Sequence, residues 1–88
     1  GPFGPENQEP VFVARRVEVK EMRILKDVHL KLQVGQGSLS FEAIGFNLAW
    51  RWAEVNATLV DIAFQPDLKS YNGKVYIQLK IKDLMASI

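Results

Sequence analysis

From Val11 onward, apolar and polar side chains alternate with a period of two, the spacing of strands with one face in a core and the other in water. VFVARRVEV at 11–19 sets Val11, Val13, Val17 and Val19 on one face, and Arg15 falls on that same face. A core rejects the guanidinium, so a bulge or sharp bend is expected at Arg15–Arg16. After a charged connection over residues 20–27, VHLKLQV alternates cleanly, with Val28, Leu30, Leu32 and Val34 inward and His29, Lys31 and Gln33 outward. GQGS at 35–38 reads as a hairpin turn, because glycine supplies the positive φ angles of tight turns. The return strand LSFEAIGF carries Phe41 and Ala43 on one side, Ile44 and Phe46 on the other.

NLAWRWAEVN is the one helical candidate: Asn47 can cap it, and Leu48, Trp52 and Val55 recur at helix spacing. TLVDIAFQ resumes strand alternation with Val60, Ile62 and Phe64 inward, and Pro66 is expected to stop it. The connection DLKSYNG ends in Asn72-Gly73, a strong turn signal. In the last strand, KVYIQLKIKD, Val75, Ile77, Leu79 and Ile81 face in, while Lys74, Tyr76, Gln78, Lys80 and Lys82 face out. Three strands, a short helix and two strands is the order of an all-β, five-stranded OB-fold barrel, whose helix sits between strands 3 and 4. An SH3-like barrel is the nearest competitor and has no helix of this length at that point.

Residues 1–10, GPFGPENQEP, hold three of the four prolines and resist both helix and ladder, so they are expected to form a linker or entry arm to a domain spanning 11–88. Phe3 is their one large apolar side chain, of a kind that packs back on its domain. The net charge of +1 is unevenly spread. Residues 11–40 carry six bases against three acids, residues 41–68 one against four, and residues 69–88 four against one. Two basic stretches flank an acidic middle; a fold that gathers them makes a positive face, and one that does not leaves them as solvated strand surface.

With one histidine and no cysteine, no nucleophile–base–orienter set, thiolate site or disulfide framework can be assembled. The scattered acids make no hydrolase-type pair, and the glycines match no phosphate-binding fingerprint. The longest uncharged stretch, Leu32 to Phe41, falls short of the roughly 18 apolar residues of a membrane span. The expectation is a non-catalytic fragment with no cofactor, no membrane partner and a cytoplasmic location.

Several stretches are familiar as a set. PFGPENQEPVF at 2–12, DVHLKL at 27–32, EAIGFN at 42–47 and SYNGKVYIQLKIKD at 70–83 resemble the OB-fold domain of the RecJ family of single-stranded-DNA-specific exonucleases. The resemblance covers nearly the whole chain in order. It departs at the entry, where Glu6-Asn7-Gln8-Glu9-Pro10 stands in place of the family's glycine-asparagine-proline-glutamate-proline, which implies a less rigid entry. It implies an accessory domain that grips single-stranded DNA for catalytic domains of a parent enzyme, where the aspartate- and histidine-rich motifs and their divalent metal reside.

OB barrels bind single strands across strands 2 and 3, between the connections 1–2 and 4–5. The first connection is expected to offer Arg23 and Lys26 beside Lys20, and the second Lys69 and Tyr71, followed by Lys74. Strand 2 adds His29 and Lys31 on its outer face. The cations would neutralise phosphates, and Tyr71 and Tyr76 are the candidates for base stacking. Phe46 suits core or platform alike, and Trp50, on another side of the helix from Trp52, suits a docking contact with a neighbouring domain. The rival reading is a structural or protein-interaction module.

Overall fold

The computed structural model describes residues 10–88. The expectations for the entry arm and Phe3 lie outside them. Five strands close a barrel in the order β1-β2-β3-β5-β4. They are β1 (Phe12–Leu25), β2 (His29–Gln36), β3 (Leu39–Gly45), β4 (Leu59–Tyr71) and β5 (Lys74–Ala86), with α1 (Ala49–Val55) between β3 and β4. All neighbours are antiparallel except β3 and β5, which run parallel. This is the OB architecture expected from the alternation.

Inward residues of all five strands meet in one cluster in which Leu30, Leu32, Val34, Val60, Ile62 and Leu84 are fully buried. Trp52 joins it from α1, with Leu48 and Val55 packed alongside, as the helical spacing predicts. The expected cap is corrected. Leu48 holds the N-cap position with no side-chain cap, and Asn47 lies one residue earlier in a left-handed conformation at φ 60°. Arg51 ties the helix to β5 through Asp83 (3.3 Å) and the Leu84 carbonyl (3.0 Å).

The bulge forms where the misplaced arginine demands it. Ala14 pairs with Ile62 and Val17 with Val60, so Arg15 and Arg16 together face the single residue Asp61. Arg16 takes φ 56°, and its N–H donates to Asp61 Oδ1 at 2.8 Å while the Arg15 guanidinium approaches Oδ2 at 3.4 Å. Asp61 is therefore buried on the outer wall. The Arg16 N–H bond, with smaller help from the Ser87 side chain and the two arginine charges, holds its carboxyl below the ordinary aspartate range against the opposing effect of burial. The bulge also reverses the face. Phe12 and Ala14 take the inward register, and Val11 and Val13, expected inward, are exposed.

Both long connections contract to turns. β1 runs on to Leu25, which pairs with His29, so only Lys26, Asp27 and Val28 connect β1 to β2, and Val28 is exposed. A second bulge at Lys20 lets β1 follow β2, and its ammonium donates to the Gly37 and Leu39 carbonyls at 2.9 and 3.1 Å. Gly35 belongs to β2, where a Cβ would stand 1.8 Å from the Leu39 carbonyl oxygen. Pro66 does not stop β4. Beyond Phe64, β4 has no further pairing with β1, and an edge tolerates a missing N–H. The β4–β5 ladder continues to Tyr71 and Lys74, closed by Asn72-Gly73 with both φ angles positive, at 52° and 76°.

The two barrel ends differ. Trp52 and α1 close the end where β2 begins. The opposite end is open, with an apolar cavity of about 330 Å³ walled by residues such as Phe64, Pro66 and Leu79. Because the β4–β5 hairpin overshoots this end, Val75 and Ile77 keep the inward register yet are 67% and 43% exposed.

Candidate nucleic-acid interface

Strand register decides which outward side chains stand side by side. Arg23 pairs with Lys31, Lys31 with Ile44, and Ile44 with Lys80, so three cations share one row across β1, β2, β3 and β5. At about 4.8 Å per strand, this row is roughly 15 Å long. The next row runs Glu21, Gln33, Glu42, Gln78 and Asp67. Lys31 Nζ lies 3.3 Å from Glu42 Oε2, and the Gln78 amide donates to that same oxygen at 2.9 Å. This linked trio carries polar contact from β2 through β3 to β5.

The expected residues fall into two groups. Arg23, Lys26, His29 and Lys31 occupy the β1–β2 hairpin. Lys69 pairs with Tyr76, and Tyr71 with Lys74, on the outer face of the overshooting β4–β5 hairpin. The β1–β2 turn and the Asn72-Gly73 turn lie at opposite ends of the strands, with the β2–β3 surface between them. Among the described residues, Arg23, Lys26, Lys74 and Lys80 have no carboxylate partner, whereas Lys69 is 3.3 Å from Asp67. Tyr71 is strongly exposed and Tyr76 moderately so.

His29 is partly committed. Its Nδ1 accepts the Asn47 N–H at 3.0 Å, which puts the ring proton of the neutral imidazole on Nε2. Its ring meets Phe46 edge-on at 5.4 Å and 79°. Phe46 is thereby assigned to the outside, exposed beside His29, and Trp50 is exposed as its helical position predicts. Lys80, Glu42 and Gln78 were absent from the expected site. Alternation alone makes Gln78 and Lys80 outward, but pairing of β3 with β5 is needed to bring them beside Lys31. No group of three or more His, Asp or Glu side chains among the described residues is arranged to hold a metal ion, so the divalent metal implied for RecJ enzymes does not fit these residues.

A closed five-stranded barrel with its helix between β3 and β4, here with a cationic row crossing β1, β2, β3 and β5, defines an OB-fold domain. A family model described as the RecJ OB domain matches residues 1–83, and the chain belongs to that family. It is 32% identical over 88 residues, 96% of its length, to the single-stranded-DNA-specific exonuclease RecJ of Dickeya dadantii (strain 3937). The chain spans about 15% of that relative.

Proposed function

We propose that this barrel grips single-stranded DNA and guides it to the hydrolytic centre of a RecJ-like exonuclease, a centre carried by other domains of a longer polypeptide in the cytoplasm. The reading rests on the row of Arg23, Lys31 and Lys80 across four strands. A single strand laid along the row sets successive phosphates against successive cations, releasing counterions. Lys26 extends the contact at one end; Lys69 and Lys74 extend it at the other, with Tyr71 and Tyr76 supplying stacking surfaces. A net charge of +1 keeps the affinity of the isolated chain modest, and tethering to a catalytic core raises it by effective concentration.

The test is a titration of labelled oligo-dT against this chain at about 50 and 200 mM salt. Binding that weakens with salt is expected, with a slope that falls by about 0.7 when Lys74 becomes alanine. Tyr71→Ala weakens binding without changing the slope. No binding at the lower salt refutes the reading.

One observation favours a second role, packing on other domains. At the open barrel end, Leu39, Phe41 and Ile77 line the 330 Å³ cavity and are exposed. An apolar mouth of this kind marks an interaction surface. Its occupant on this reading is the remainder of a RecJ-like polypeptide, supplied in trans as the test. Ile77→Lys abolishes that association and leaves oligo-dT binding in place.

A further inference from the structure

The corner between the β1–β2 turn and the start of α1 is not used by the cationic row. Trp50 is 61% exposed there and Phe46 55% exposed. Exposing two large aromatic rings forgoes burial that a domain of this size can use, since such side chains carry some of the largest apolar areas of any residue. A cleft of about 280 Å³ opens beside Trp50 at the turn, lined by Asp27, Val28, Asn47 and Trp50.

The corner is held in shape by backbone bonds. The Ala49 N–H donates to the Val28 carbonyl at 3.0 Å, clamping the helix to the turn, and the Val28 N–H donates to Leu25 at 3.1 Å. The Asn47 N–H bond to His29 Nδ1 fixes the β3–α1 connection, and His29 in turn abuts Phe46. Lys26, Asp27 and Asn47 all adopt left-handed conformations, at φ 53°, 64° and 60°.

Three features select the occupant. The exposed indole of Trp50 at the cleft suits a flat ring. The Asp27 carboxylate and the Asn47 amide, at the cleft wall, suit a ring whose edge carries hydrogen-bonding groups; an aliphatic side chain leaves both unpaired. Lys26 precedes the cleft residue Asp27 in the turn, and Arg23 and Lys31 pair two positions along the ladder from Leu25 and His29, which places positive charge where an attached phosphate lies. A nucleobase meets all three conditions.

We infer that this corner is a nucleobase subsite, in which a base of the bound single strand stacks on Trp50 while its phosphates follow Lys26 onto the row of Arg23, Lys31 and Lys80. The inference rests on the single-strand reading above and deepens it. Trp52 is buried, so the fluorescence change on binding comes from Trp50.

The experiment titrates oligo-dT into the whole chain and into Trp50→Ala and Trp50→Phe, with thermal melts to verify that removing this exposed side chain leaves the fold unchanged. Oligo-dT quenches the wild-type emission. Trp50→Ala weakens binding about 5- to 160-fold with the salt slope unchanged, the size of one lost stacking interaction, while Trp50→Phe retains most of the affinity and loses the quench. Wild-type binding without quench, matched by full affinity in Trp50→Ala, overturns the subsite and leaves the single-strand reading standing. Failure of the wild-type chain to bind oligo-dT overturns that reading itself. A Trp50 response to the remaining RecJ-like polypeptide, with none to oligo-dT, assigns the corner to protein docking and likewise overturns the subsite.

Discussion

Glu42 is the carboxylate at the centre of the proposed interface, and replacing it with glutamine tests whether phosphates approach the cationic row. In the free domain it pairs with Lys31 at 3.3 Å and accepts from Gln78 at 2.9 Å. Glu42→Gln retains an amide oxygen for Gln78 but releases the Lys31 charge. The pair is only partly buried, with side-chain exposures of 38% and 27%, so its loss costs under about 1 kcal/mol and lowers the melting temperature by no more than about 4–8 °C. Binding changes in the other direction. A phosphate about 8 Å from the carboxylate is repelled by roughly 0.5 kcal/mol at the dielectric of water, and removing that repulsion raises affinity about twofold. To the extent that Glu42 competes with the phosphate for Lys31, freeing the lysine steepens the salt slope by up to about 0.7, which makes the variant's advantage up to about 2.6-fold larger at 50 mM than at 200 mM salt. Fluorescence anisotropy of labelled oligo-dT at the two salts reads both quantities. Weaker binding by the variant refutes phosphate binding at Lys31.

Three further outcomes follow from the fold. Trp52→Ala removes the aromatic that closes one barrel end and destabilises the domain by about 3–5 kcal/mol in urea titrations; a loss below about 1 kcal/mol denies Trp52 that role. Gly35→Ala drives a Cβ to 1.8 Å from the Leu39 carbonyl oxygen, so the β2–β3 hairpin must shift, at a cost of about 1–3 kcal/mol, and wild-type stability in this variant would show the close approach to be wrong. Asp61 titrates below its ordinary value of 3.8 in the folded chain, so its contribution is present above that pH and is lost as pH falls through the lower folded value. Melting curves of wild type and Asp61→Asn therefore converge in strong acid and separate at neutral pH, with wild type the more stable; a gap independent of pH contradicts the role of the ionised carboxylate in holding the bulge.

Much of the barrel was legible in the chain. Period-two alternation marked Leu30, Leu32, Val34, Val60, Ile62, Leu79 and Ile81 as inward, and all seven are buried. The one fault in the first strand, an arginine on an apolar face, located the bulge, and Asn72-Gly73 located the turn with two positive φ angles. These features are local: the pleat alternates residue by residue, and a tight hairpin needs particular backbone conformations at particular positions.

Other features depended on strands meeting. Pro66 and the charged segment before His29 read as breaks because each was judged without its neighbour, whereas the ladders carry β4 to Tyr71 and β1 to Leu25. Val75 and Ile77 have the parity of core residues and lack a core, since the barrel ends before their hairpin does. Lys80 joins Arg23 and Lys31, and Glu42 bridges Lys31 to Gln78, only because β5 lies parallel to β3. Alternation along the chain thus determined which side of the sheet each residue occupies. Which residues stand beside one another, and where a strand runs out of partners, was decided by the closed barrel, because those pairings join segments far apart in sequence.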